Sequence, residues 1–88
     1  MTSQLRRAAA SVPANIAEGV GRNGDAEFHR FLRIALGSAC ETEYHLILAR
    51  DLGFMPNDRY LLLNEKVNEV KKMLVTLMAR LGRRDVSY

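Results

Sequence analysis

The stretch FHRFLRIALGSACETEYHLILARDL, residues 28–52, decides how this chain folds. Phe28, Leu32, Ala35, Ala39, Thr42, Leu46 and Ala49 recur at steps of four and three, the period of one face of an α-helix. A second apolar stripe, Phe31, Leu36, Cys40, Ile47 and Leu48, covers other faces of the same helix. Polar residues are thin from Leu32 to Cys40, and a helix apolar on most sides is expected to be buried on most sides. The segment is predicted over about 24–52, capped by Asn23 or Asp25 and stopped by Gly53 and Pro56. Gly37, Ser38 and Ala39 predict close packing at its middle.

Two further helical patterns flank it. Upstream, over about 2–19, Leu5, Ala9, Val12 and Ile16 draw one apolar stripe, and Ala8, Ala10, Ala14 and Ala17 allow close approach of a neighbour. Pro13 lacks an N–H and its ring meets the carbonyl of Ala9, so it predicts either a kink or a break recapped by Ser11. The stripe keeps phase across it, which favours the kink. Gly19 and Gly21 are expected to end this helix in the left-handed conformation. Downstream, over about 57–81, Tyr60, Leu63, Val67, Val70, Leu74, Leu77 and Leu81 hold the spacing of a bundle seam, with Asn57 as cap and Gly82 as stop. Lys66, Glu69 and Lys72 mark its solvated face, and the last residues, RRDVSY, read as a short frayed tail.

The fold class is therefore all-α, an antiparallel up-down bundle in one domain over 1–88. Three helices leave apolar surface over. At ~25 cal/mol per Å², a wet stripe costs several kcal/mol out of the ~5–15 kcal/mol that stabilise a whole domain. Either a further helix or other subunits must supply cover, which points to a homo-oligomer.

Composition narrows the function. Thirteen basic and ten acidic residues give a net charge of +3, which permits contact with RNA or DNA without demanding it. No run approaches the ~20 apolar residues of a membrane span, and MTSQLRRAAAS lacks the apolar core of a secretory signal, so a cytoplasmic location is expected. Cys40 is the single cysteine and is expected to be a buried, structural thiol. His45 would stand roughly 140° around the helix from it, so the two form no catalytic pair. GVGRNG at 19–24 follows a helix rather than a strand and lacks the Lys-Ser/Thr of a phosphate loop. Glu41 and His45 are four apart, whereas a di-iron bundle uses Glu-x-x-His. No catalytic residue, metal or cofactor is assigned.

The remaining polar residues divide into two sets. Asn15, Glu18, Glu41 and Glu43 read as a structural polar cluster: Asn15 and Glu18 tie the first helix's end to the loop, with Glu18 able to pair with Arg22. Glu41 and Glu43 interrupt an apolar helix and need cations, for which Arg6, Arg7 and Arg33 are the nearest candidates. The basic groups are Arg6–Arg7, Arg22–Arg30–Arg33 and Arg80–Arg83–Arg84. They are scattered on one subunit, but a ring would repeat each of them and could engage a phosphate backbone.

QLRRAAASVPANIAEGVGR and EFHRFLRIALGSACETEYHLILARDLG together resemble the four-helix-bundle family that includes proteins encoded in intervening sequences of bacterial 23S ribosomal RNA genes. The likeness rests on Gln4 to Ala8, Ser11 to Gly19, Glu27-Phe28, Phe31-Leu32, Ala35, Gly37-Ser38-Ala39, Glu41 and Glu43; KVNEVKKMLVTLMARL fits more loosely. It implies an up-down bundle assembled as a homopentamer, with no defined biochemical role. A distant relative, the accessory protein of diversity-generating retroelements, is a basic pentameric ring associated with nucleic acid and a reverse transcriptase. By that analogy Arg6, Arg7, Arg22, Arg30 and Arg33 become candidate nucleic-acid-binding residues. Family members usually carry a further amphipathic helix ahead of the position of Gln4. Met1 stands here where a leucine commonly precedes Thr-Ser-Gln-Leu-Arg-Arg, so a late start or truncated gene is expected, leaving three helices and an exposed groove along the first and second.

Overall fold

A computed structural model describes residues 2–86, with side chains described for 3–82. Three helices make up the described chain: α1 (Thr2–Val20), α2 (Asp25–Asp51) and α3 (Asn57–Val86). They run up, down and up through two short turns. The fold is all-α, as the periodicity indicates.

The turns are set by two glycines with positive φ. Gly24, at φ 96°, brings the chain into α2, and its carbonyl accepts the first helical bond from the Phe28 N–H at 3.2 Å. The cap of α2 is thus Gly24, and not Asn23 or Asp25. A side chain at position 24 would resist that φ. Asp25 and Glu27 instead occupy the first turn, where the helix dipole favours negative charge. Gly53, at φ 80°, closes α2: its N–H reaches the Arg50 carbonyl and the Phe54 N–H reaches that of Ala49, the paired bonds of a Schellman stop.

Gly19 and Gly21 do not have the left-handed conformation expected of them. Gly19 is a buried close-approach point. A methyl group there would lie 2.9 Å from both Phe28 Cδ1 and Phe31 Cβ. The helix continues to Val20, and Gly21 and Arg22 return their N–H groups to the carbonyls of Ala17 and Gly19. Pro13 lies inside an unbroken α1, so Ser11 caps no second helix. At the start of α3, the Pro56 carbonyl takes the Tyr60 N–H, making Asn57 the first helical residue and not the cap. Gly82 does not stop α3, which runs on to Val86. One interior glycine costs a helix only about 1 kcal/mol. The side chains of residues 83–86, including the Arg83–Arg84 pair, and the tail residues Ser87 and Tyr88 lie outside the described residues.

α1 and α3 each pack along α2 and do not pack on one another. The Cα envelope of 52 × 20 × 13 Å is a slab little more than one helix thick. Leu32 and Ala35, both fully buried, join Leu74 and Leu81 in the core, with Val12, Ile16, Phe28 and Leu77 packed around them. The four-three stripe of α2 is the face that disappears: Leu32, Ala35, Ala39, Thr42, Leu46 and Ala49 are all buried. Its second stripe is covered only in part. Phe31 is buried, whereas Ile47 and Cys40 are exposed, as are Ile34 and Tyr44 beside them. The expectation of a buried Cys40 thus fails, because two flanking helices in a flat layer leave the third side of α2 open.

Candidate functional site

A slab in which α1 and α3 stand apart on α2 has a trough between them. Val12, Pro13 and Ile16 of α1 form one wall, Leu32 of α2 lies in the floor, and Val70, Met73, Leu74 and Leu77 of α3 form the other wall. This hollow has a volume of about 710 Å³. A second hollow of about 220 Å³ shares Val12, Pro13 and Val70 with it and extends the trough over Ala9, Ala39, Thr42 and Val67. The sequence pattern expected a groove along the first and second helices. The structure places it between the first and third, with the second beneath. Every wall residue belongs to a stripe identified by periodicity except Pro13 and Met73.

The charges on this trough have one sign. Lys66, Lys72 and Arg80 of α3 line it, and no carboxylate does among the described residues. Lys66, Met73 and Arg80 are seven residues apart and so share one edge of α3. Lys66 to Arg80 spans about 21 Å at ~1.5 Å per residue. None of the three cations forms an ion pair among the described residues. This edge is what sequence reasoning missed: Lys66 and Lys72 passed as ordinary solvated charges, although their position beside the apolar seam was legible.

The opposite side of the α1–α2 contact is polar. Ser11 Oγ and Ser38 Oγ bond across the two helices at 2.8 Å. The Asn15 amide donates to the Ser11 carbonyl at 2.8 Å and to Ser11 Oγ at 2.9 Å, and Thr42 Oγ1 donates to the Ser38 carbonyl at 2.8 Å. Asn15 therefore works in this seam and not with Glu18. Of the mid-length trio, Ala39 is buried and Ser38 bonds, but a methyl group at Gly37 would meet nothing within 4 Å. Gly37 is not a close-packing residue.

The proposed polar cluster does not form as one group. Glu18 accepts from Arg22 Nη2 at 2.8 Å, as its spacing suggested. Glu43 accepts from Lys71 Nζ of α3 at 3.0 Å, and that bond raises the Lys71 ammonium above its ordinary range. Glu41 lies 3.7 Å from His45 Nε2. The arginine partners expected for Glu41 and Glu43 are not used. Arg33 is eight and ten residues away, about 12–15 Å along the helix. Arg7 shares a shallow hollow with Glu41 without an ion pair between them.

The candidate arginines separate too. Arg22 and Arg30 flank Phe31, their guanidinium carbons 5.1 and 4.5 Å from its ring centroid. Each holds a carboxylate as well, Arg22 that of Glu18 and Arg30 that of Glu27 at 3.0 Å. The Arg30 hydrogen bond, ahead of the charges of Arg30 and Arg22, holds the Glu27 carboxyl below the usual carboxylate range. Arg6, Arg7 and Arg33 are exposed and carry no ion pair among the described residues. Among those residues no three His, Cys, Asp or Glu side chains gather, and no helix is long and apolar enough to cross a membrane.

The family model described as 23S rRNA-intervening sequence protein matches residues 1–76. A crystal structure from Bacteroides thetaiotaomicron, a protein of unknown function from the S23 ribosomal protein family, is similar at 33% identity with a TM-score of 0.86. The match covers 89% of this chain and 72% of that one. No curated protein matches the chain.

Proposed function

The chain belongs to the 23S rRNA-intervening sequence protein family, and within it we propose a non-enzymatic scaffold that holds an amphipathic helix in the trough between α1 and α3. The observation that carries this reading is the trough itself: two parallel apolar walls over an apolar floor, rimmed by Lys66, Lys72 and Arg80, which form no ion pair among the described residues. An amphipathic helix laid along such walls buries its stripe as helix-in-groove recognition does. The test is a labelled peptide of about 18 residues, long enough for the ~21 Å trough, with leucine at a and d positions and serine and glutamine elsewhere. Saturable binding that Met73→Glu weakens at least tenfold is expected; no binding, or binding unaffected by Met73→Glu, overturns the reading.

The scaffold is proposed to be a cytoplasmic homo-oligomer. Support comes from Leu52, Phe54, Leu61 and Leu62, exposed around the α2–α3 turn, with Phe54 at 73%, since grouped exposed apolar residues mark interaction surfaces. A pentamer rests on the family resemblance alone. A second reading, association with an RNA or DNA backbone, is favoured by one observation: Arg6, Arg7 and Arg33 are exposed without carboxylate partners among the described residues, whereas Arg22 and Arg30 are engaged. Binding of structured RNA that weakens steeply with salt and is lost in Arg6→Glu/Arg7→Glu supports it. Binding indifferent to both removes it.

A further inference from the structure

The turn between α1 and α2 carries Asn23 followed directly by Gly24, and both residues are exposed. The side-chain amide of an asparagine is open to attack by the backbone nitrogen of the next residue, which is one reason asparagine is a thermolabile residue. Glycine shields that nitrogen least, because it has no Cβ and its backbone turns freely. The reaction needs an unengaged side-chain amide and an unengaged backbone N–H. The Asn23 side chain forms no hydrogen bond among the described residues. The Gly24 N–H donates none there either, although the Gly24 carbonyl holds the Phe28 N–H at 3.2 Å.

From this geometry we propose that Asn23–Gly24 is a site of spontaneous covalent modification, at which asparagine becomes aspartate or isoaspartate. The Gly24 nitrogen bonds to Asn23 Cγ and the Cγ–Nδ2 bond breaks. The amide nitrogen leaves as ammonia and takes the Gly24 proton with it. Water then opens the cyclic imide. Addition at Cγ restores the ordinary backbone and leaves an aspartate. Addition at the main-chain carbonyl carbon leaves the chain running through Cβ and Cγ, as isoaspartate. Water is the only other reactant, and nothing is oxidised or reduced. The remaining asparagines are held back from this chemistry. Asn15, Asn57, Asn64 and Asn68 all lie within helices, and Ile16, Asp58, Glu65 and Glu69 follow them in place of glycine. The Asn15 amide is also engaged by Ser11.

The two products act differently on the fold. A carboxylate at position 23 stands at the N-terminus of α2, where the helix dipole favours negative charge, and next to Arg22, which holds Glu18 at 2.8 Å. Isoaspartate instead adds a carbon to the backbone of a short turn. Just before that turn Gly19 packs so closely on Phe28 and Phe31 that a methyl group there would lie 2.9 Å from each. The aspartate product keeps this contact between α1 and α2, and the isoaspartate product weakens it.

The test ages the native full chain in neutral and in mildly alkaline buffer, digests it and weighs the peptides by mass spectrometry. The peptide holding Asn23 is expected to exchange its amide for an acid, faster in alkaline buffer because attack needs a deprotonated Gly24 nitrogen. Peptides holding Asn15, Asn57, Asn64 and Asn68 are expected to stay unchanged. Asn23→Gln is expected to abolish the change, since the longer side chain closes its ring poorly. The aged chain, enriched in isoaspartate, is expected to lose stability in urea, whereas Asn23→Asp keeps it. An Asn23 that stays intact in the folded chain while the excised peptide is modified overturns the proposal. So does modification spread evenly over the other asparagines. Equal urea midpoints for the aged chain and Asn23→Asp overturn the consequence assigned to isoaspartate.

Discussion

At Gly19 a single methyl group is the difference between fit and clash. Its nearest neighbour on one side, Phe31 Cβ, is tied to the α2 backbone and cannot move aside as a ring can. Overpacking of this kind costs about 1–3 kcal/mol, against which alanine returns about 1 kcal/mol of helix propensity. Gly19→Ala is expected to lower stability in urea by up to about 2 kcal/mol. Gly37→Ala, facing open space in the middle of α2, is expected to raise it by about 0.5–1 kcal/mol; the same sign in both variants would contradict the packing described. The Glu27–Arg30 pair gives a pH signature. A carboxyl lowered in the folded state adds stability above its unfolded value, about 4.3, and loses it as pH falls through the lower folded value. The urea midpoint of the native chain should therefore exceed that of Arg30→Gln at pH 6, with the gap closing toward pH 2. A gap that stays constant would show that the pair is not its source. At this scale the sequence was legible where partners are local: Arg22 follows Glu18 by four residues, just past the end of α1. It was opaque where the partner comes from another helix, since Glu43 meets Lys71 only because α3 lies in one register on α2.

Among the elements, α1 combines two opposing local preferences. Its stripe and small residues favour one continuous helix, and Pro13 takes one hydrogen bond out of it. Packing along α2, through Gly19 at one end and the Ser11–Ser38 bond in the middle, keeps the helix whole. Pro13→Ala restores a donor to the Ala9 carbonyl at an exposed position and is expected to stabilise the chain by about 1–2 kcal/mol. That is less than the ~3 kcal/mol scale of an interior proline, because proline also restricts the unfolded chain. Unchanged stability in urea would mean that the α1 backbone has already adjusted around the missing bond. Helix existence was readable from the four-three stripes because burial follows them residue by residue in α2. The ends were less readable, since glycine serves equally as a turn at Gly24 and Gly53, as a close-approach point at Gly19 and as a plain helical residue at Gly82.

For the whole molecule, the decisive fact is that α1 and α3 share α2 and do not meet. The surplus apolar surface counted from the sequence is real, and the slab divides it among three places: the trough, the outer face of α2 and the α2–α3 turn. Periodicity could give the amount but not the division, which depends on the angle at which α1 and α3 settle around α2. Sedimentation of the native chain is expected to give a mass above the monomer, reduced by Phe54→Glu/Leu61→Glu. A monomer at every concentration would remove the proposed assembly while leaving the trough in place. The trough is the central claim, and methyl NMR reads it most directly. On titration with the leucine-stripe peptide, the methyl signals of Val12, Ile16, Val70, Leu74 and Leu77 are predicted to shift while those of Ile34 and Ile47 on the outer face stay still. Shifts confined to Ile34 and Ile47, or none at all, would contradict it.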